Sequence, residues 1–368
     1  YPKGKYFKGY GIFKNKNQLK DNVLINRVIA TPRGRSSRLL LLINYISFVI
    51  SASIKILFLK NKYDLIFIYE PSPITVAIPA ILLKKISKTP IILWVTDLWP
   101  ESIISTIQLN KLFRKIINST INPLVKWIYN NSDKILVTSK GFINSIQNKI
   151  NEKNKIEFFP QWAEDIFRPS INKKELPITI PNNSFKIMFA GNIGEAQDFP
   201  SILKAAKLLR KNNIHWIILG DGRKKSWVKN KIKEYKLEKK FHMLGSFPLQ
   251  EMPNYYASSD AMLFSLKNEY IFSITIPAKV QSYLACAKPI LAMVNGEASD
   301  IIKNSNSGIV CNSGDYKSLA DNILSISQKT KTELAVMSNN SHKCYKNNFD
   351  RDMLFTRLEK IFNNIIKQ

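Results

Sequence analysis

At 368 residues, with 45% hydrophobic and 22% charged side chains, the chain is long enough for two ordinary domains and too apolar for wholesale disorder. Three scattered cysteines, Cys286, Cys311 and Cys344, exclude a disulfide framework and have no CxxC metal spacing, so a reducing compartment is the plain reading. The net charge of +28 raises nucleic acid as a partner, but 45 Lys against 10 Arg, with no helix-turn-helix, zinc-finger or RNP pattern, argues against base readout.

The chain opens Tyr1-Pro2-Lys3-Gly4, without an initiator Met or signal peptide, and reads as a fragment or a processed chain. Residues 1–62 hold 13 Lys/Arg against Asp21 alone, so +12 of the net charge sits in a sixth of the chain. A basic cluster beside an apolar segment suits an anionic membrane surface, and a solvated basic face is the alternative. Leu39 to Leu59 is the most apolar run and could reach across a bilayer. Asn44, Ser47, Ser51, Ser53 and Lys55 argue for a buried or interface-lying helix instead. Arg33, Arg35 and Arg38 before it suit phosphate headgroups.

Short apolar strands then alternate with helices. Strands are predicted at 63–69, 90–95 and 133–138, with helices at 74–87, at 110–130 interrupted near Pro123, and from Lys140. Residues 165–184, rich in Pro, Asn and charge, read as a linker. The second half repeats the alternation, with strands at 185–190, 214–219, 241–245, 261–265 and 289–294. Helices are predicted at 200–211, 225–236, 251–258, 276–287, 316–328 and 351–366. Continuous apolar strands separated by helices predict parallel sheets covered on both faces: an α/β protein of two doubly wound domains around a cleft. The expected boundaries are 1–168 and 169–350, with the C-terminal helix 351–368 packing back on the first domain.

In such sheets ligands sit at the carboxyl ends of strands. Gly191-Asn192-Ile193-Gly194 lies between a strand and a helix, and fits either phosphate binding or an ordinary turn. It is neither a GxGxxG nor a Walker loop. Gly220-Asp221-Gly222 is a second such turn, with Arg223 beside it. The sharpest segment is 276–289. There Lys279 stands in the first turn of a helix, where a cation is unfavourable unless an anion lies nearby. A surface lysine on a packing helix is the alternative. Gln281 and Ser282 follow as candidates for ribose hydroxyls.

The ordered set WVTDLWPESI (94–103), SDKILVTSKGF (132–142), FPQWAEDIFRP (159–169), FAGNIGEAQDFPSILKAA (189–206), ILGDG (218–222), IPAKVQSYLACAKPILAMVNGEASDII (276–302) and SGIVCNSGD (307–315), with YPKGKYFKGYG (1–11) ahead of it, resembles glycosyltransferase family 4. It is most similar to the WbuB-type branch that builds bacterial O-antigen, capsule and colanic-acid polysaccharides. The resemblance implies the GT-B fold, two Rossmann-like domains facing a cleft. It implies transfer of a sugar, an N-acetylated deoxyhexosamine among the options, from a UDP-sugar to a lipid-linked or growing surface glycan. Configuration would be retained, with no metal and no cofactor. The implied partners are the nucleotide-sugar donor, a polyprenyl-diphosphate-linked acceptor and the inner-membrane surface, reached through the basic N-terminal region. The implied location is cytoplasmic and peripheral to that membrane, with no nucleic acid involved.

On this resemblance Asp97 and Glu101 are the catalytic candidates. Gly191, Asn192, Gly194, Arg223, Phe247, Lys279, Gln281, Ser282, Gly296 and Glu297 are the donor-binding candidates. Departures stand beside them. The family's E-x7-E pair falls on Ile274 and Ser282, the usual Ser and Gly fall on Ala278 and Ala287, and a common basic position falls on Asn192. The first domain has no His, since His215, His242 and His342 lie later, which excludes a His-based acceptor site. The opening motif normally lies further inside the chain, so the first βα unit is expected to be missing. An inactive relative or a GT-B-fold sugar-nucleotide epimerase are the alternative functions.

Overall fold

The fold is carried by parallel strands whose side chains alternate between two buried faces. A computed structural model describes residues 9–11, 17–32, 38–59, 62–106 and 111–367. Most of the opening motif lies outside the described residues, as do Arg33 and Arg35 and the lysines at 3, 5, 8, 14, 16 and 60.

The chain divides into two compact units. The first takes residues up to Thr138, Ile143–Phe158 and the end of the chain from Lys360; the second takes Ser139–Phe142 and Phe159–Glu359. The passage at Phe158/Phe159 lies before the expected boundary at 168. The linker-like stretch is therefore part of the second unit, and the C-terminal helix Arg351–Ile366 is shared between the two.

In the first unit, β1 (Asn17–Lys20) and β2 (Val23–Asn26) form an antiparallel hairpin that periodicity did not predict. β3 (Ile66–Glu70), β4 (Ile91–Val95), β5 (Lys134–Val137) and β6 (Ile156–Phe158) form a parallel sheet in that order. Every residue of β4 is buried, as a continuous apolar run demands. Asp133 ties the sheet to its helices: it accepts the Ile91 N–H at 2.7 Å and pairs with Lys84 at 2.7 Å. The helix Lys111–Asn131 runs on through Pro123 rather than breaking there. Proline removes one backbone bond, and the buried Val125, Ile128 and Tyr129 hold the next turns in place.

The apolar run folds as the helix Arg38–Leu57, but it is not buried. Asn44 Nδ2 donates to Thr31 O, Ser47 Oγ accepts the Thr31 N–H at 2.9 Å, and Ser51 Oγ donates to Ile29 O. The polar side chains thus bond inward. Leu39 (65% exposed), Ile43, Ile46, Ile50 (54%), Ile54 and Leu57 (67%) form an outward stripe at helical spacing.

In the second unit, β7 (Phe185–Ala190), β8 (Ile214–Leu219), β9 (Phe241–Gly245), β10 (Ala261–Ser265), β11 (Ile290–Met293) and β12 (Gly308–Cys311) make one parallel sheet, ordered β12-β11-β10-β7-β8-β9. β7 shows why both faces are covered. Ile187 and Phe189 join one apolar cluster with Trp216 and Leu263, and Met188 and Ala190 join the other with Phe264 and Tyr283. β6 in the first unit, β12 and the helix Lys331–Asn348 were not predicted. The helix carries a readable start, Thr330 and Glu333 capping one another at 3.2 and 2.8 Å.

Trp216 is fully buried and stacks on Phe241 with ring centroids 5.8 Å apart. Trp216→Ala is expected to cost about 3–5 kcal/mol, read as a lowered urea midpoint by circular dichroism.

Candidate functional site

β7 ends at Ala190, and the chain turns at Gly191 with φ +134°. β8 ends at Leu219, and Gly220 follows with φ +138°. The two turns meet backbone to backbone: Gly191 N–H donates to Leu219 O at 2.9 Å, and Ile193 N–H to Asp221 O at 2.8 Å. A methyl group on Gly220 would fall 1.9 Å from Gly191 O, so only glycine allows the approach.

The helix Ala278–Ala285 is fixed to this edge by Tyr283, whose hydroxyl accepts the Ala190 N–H at 3.1 Å and donates to Ala190 O at 3.2 Å. Pro277 stands at the cap, immediately before the helix. Lys279 lies one turn before Tyr283 on the same helix face, so the Tyr283 anchor delivers it to the glycine turn. A methyl group on Gly191 would lie 3.1 Å from Lys279 Nζ. The ammonium sits over the Phe189 ring, 4.1 Å from its centroid, sealed from solvent and without a hydrogen-bond partner among the described residues. Burial lowers its pKa from 10.5 to about 7. An unpaired buried cation costs stability, and such costs concentrate where a ligand supplies the counter-charge.

The other candidates are placed as follows. Asn192 is exposed, and Gly194 N–H donates to Gln197 Oε1 at 3.1 Å. Arg223 is exposed on the second turn. Gln281 is fully buried, and its amide nitrogen turns back to Pro277 O at 2.7 Å and Ala278 O at 3.2 Å. Ser282 Oγ donates to Ala278 O at 3.1 Å. Both residues proposed for ribose are thus engaged by their own helix. Phe247 is half-buried, its ring 4.4 Å from that of Tyr255.

Gly296, with φ +73°, presses on Ser273 and opens the helix Glu297–Asn304. Glu297 accepts the Gly141 N–H. Burial raises its pKa, and the neighbouring Lys140 charge opposes that rise. It lies where residues 140–141, 273–274 and 296–297 meet, a separate cluster from Lys279 in the same unit.

Sequence reasoning missed Glu195. It bridges Lys224 at 2.6 Å and Lys267 at 3.2 Å, and these two cations hold its pKa down. Its position just after Gly194 was visible, but a partner 72 residues away was not.

In the first unit, Asp97 is half-buried on the loop after β4. Glu101 is not free: its Oε1 takes Lys149 Nζ at 2.5 Å and Ser145 Oγ at 2.6 Å. Of the two expected catalytic carboxylates, Glu101 is ion-paired through one oxygen, while its Oε2 is buried without a hydrogen-bond partner among the described residues.

Residues 171–344 match the family model described as Glycosyl transferases group 1. WbjE of Pseudomonas aeruginosa, described as a probable glycosyltransferase, is 28% identical over 239 residues, 62% of this chain and 58% of that protein. WcaI of Escherichia coli K12, a glycosyl transferase described under colanic acid biosynthesis, is 24% identical over 163 residues, 42% of this chain and 39% of that protein. The chain thus matches less than two thirds of the length of either relative. HepE of Anabaena, solved in complex with UDP, shares the fold with a TM-score of 0.68 at 13% identity, over 88% of this chain and 84% of that one.

The Lys279 geometry fixes a sign. A base whose folded pKa is lowered destabilises fully below pH 7, and the penalty fades as pH rises from about 7 to 10.5. Lys279→Met is therefore expected to melt higher than the parent at pH 6. The gap should close as pH approaches 10.5, measured by thermal denaturation across pH.

Proposed function

We propose, from a chain whose residues 171–344 belong to the glycosyl transferases group 1 family and which has the GT-B fold, that it is a glycosyltransferase using a nucleotide-sugar donor. UDP is the nucleotide we infer, because HepE was solved with UDP. The observation that carries the reading is the buried, unpartnered Lys279 ammonium beside the Gly191 turn.

Breaking the bond between sugar and diphosphate builds negative charge on the leaving phosphate. A preorganised cation in a dry site stabilises that charge without having to reorganise. Lys279 is the proposed cation, aided by Arg223 and by the Gly194 N–H on condition that it leaves Gln197. Phe247 and Glu297 are proposed to contact base and sugar. Gly296 keeps its proposed place at the sugar side, where its backbone sets Glu297. Gln281 and Ser282 stay as donor-side candidates on condition that they leave their helix bonds. Asp97 is the proposed acid/base group on the acceptor hydroxyl or the charge-stabiliser of the sugar ring. Retention of configuration and independence of metal belong to the proposal, and are checked by product NMR and by turnover in EDTA.

The acceptor we infer is a polyprenyl-diphosphate-linked glycan of surface-polysaccharide assembly, at the inner-membrane surface. It is supported by the colanic acid role stated for WcaI and by the outward apolar stripe of the helix Arg38–Leu57. Exposed apolar residues on a helix with basic flanks fit the boundary between headgroups and acyl chains. The inward hydrogen bonds of Asn44, Ser47 and Ser51 favour a helix lying on the surface over one spanning it.

Lys279→Ala is expected to lower UDP release by a factor on the order of 100–1000 with the fold intact; unchanged turnover would remove Lys279 from the mechanism. An Asp97→Asn enzyme at full rate would do the same for Asp97. Release of UDP without acceptor, with isomerised sugar, would identify an epimerase instead. For the surface, the chain is expected to float with phosphatidylglycerol vesicles, and Ile46→Glu/Ile50→Glu to abolish flotation. Equal flotation of both proteins overturns the assignment of the stripe.

A further inference from the structure

The loop that carries Asp97 is held by a residue outside the proposed mechanism. Glu70 ends β3 and is fully buried. Its backbone oxygen accepts the Thr96 N–H at 3.1 Å and the Thr96 hydroxyl at 2.6 Å. Its side-chain Oε2 accepts the Asp97 N–H at 3.4 Å, and the N–H groups of Ser72 and Thr96 also point to the carboxyl group. Ser72 in turn accepts Trp99 Nε1–H at 3.0 Å. One residue therefore joins the loop after β3 to the loop after β4.

The surroundings of Glu70 are acidic. Asp97 on the β4 loop is the charge that acts on it. Tyr129, from the helix Lys111–Asn131, is fully buried with an unpartnered hydroxyl and feels Glu70, Glu101 and Asp97. Glu101 has its own cation, Lys149. Glu70 Oε1 has no hydrogen-bond partner among the described residues. A carboxylate with one bare oxygen, no cation and a neighbouring carboxylate is not a stable buried charge; the neutral acid is.

We propose that Glu70 is a positioning residue for Asp97, holding the two loops together as a neutral acid so that Asp97 alone carries the negative charge of this edge. This deepens the role given to Asp97 above and rests on it. Burial first, and the Asp97 charge second, push the Glu70 pKa well above 4.5, in agreement with the geometry.

The test compares Glu70→Gln and Glu70→Ala with the parent, with and without Asp97→Asn. An acid with a raised folded pKa keeps its proton in the folded state, so the parent loses stability as pH rises from about 4.5 through the folded pKa. Glu70→Gln, which cannot ionise, is expected to gain in melting temperature over the parent as pH rises through that window. In the Asp97→Asn background the gain should begin at the same pH but level off at a lower pH and be smaller, because the neighbouring charge that raises the folded pKa is gone. This arm needs no substrate.

In turnover, Glu70→Gln should keep kcat and KM at neutral pH. Glu70→Ala should lose kcat by a factor on the order of 10–100 through displacement of Asp97, with KM little changed. A melting-temperature gap independent of pH overturns the neutral-acid assignment. Full kcat in Glu70→Ala overturns the positioning role. If Asp97→Asn turns over at full rate while the melting arm behaves as expected, the mechanism proposed for Asp97 fails and the charge state of Glu70 stands.

Discussion

The hydroxyl of Tyr283 is the fastening on which the donor-side geometry depends. It closes two hydrogen bonds on a single residue, Ala190, at the point where β7 gives way to the glycine turn. A helix dipole and a hydrophobic face would leave the helix Ala278–Ala285 free to slide along the sheet by a turn. Two directional bonds to one residue remove that freedom. The position of Lys279 follows, because it is one turn away on the same face; Gly191, which its φ of +134° reserves for glycine, gives the ammonium a close approach to the turn.

Both units pair a desolvated ionisable group with the carboxyl end of a parallel strand. Lys279 lies against the end of β7 with its charge unmet, and Glu70 closes β3 with one oxygen unmet. Buried polar atoms without partners are rare in native proteins because each costs stability. The two groups resolve the cost differently. Lys279 has an aromatic face beneath it and is poised to lose its proton near neutrality; in Glu70, burial and the Asp97 charge favour the proton and outweigh the N–H groups that favour the ionised form. The contrast suits a site that receives an anion and a scaffold that must stay in place.

The strands of both sheets were legible because a strand buried on two faces reads as an unbroken apolar run, as in Ile91-Ile92-Leu93-Trp94-Val95. β6 and β12 were not, since Ile156, Glu157 and Phe158, like Gly308, Ile309 and Val310, are only half-buried. Nor was the helix Lys331–Asn348, which buries only Ser341, Cys344 and Tyr345 and so lacks a marked apolar period. Lys279 could be found because a cation in a first turn contradicts the helix dipole. The bonds that Gln281 makes to its own helix were not legible, because sequence proximity is not facing: two residues on, it points about 200° round the helix from Lys279. Glu101 looked free because Lys149, which neutralises it, lies 48 residues later.

The helix Arg38–Leu57 has one more consequence. Its outward ribbon of leucine and isoleucine extends for about 27 Å, from Leu39 to Leu57. Among the described residues nothing covers that ribbon, so in purely aqueous solution another copy of itself can serve as its neighbour. The colloidal behaviour of the purified chain, its tendency to form soluble clusters and its response to mild detergent, is then governed by a single helix face rather than by the sheets behind it, while the +28 charge acts in the opposite sense by keeping copies apart.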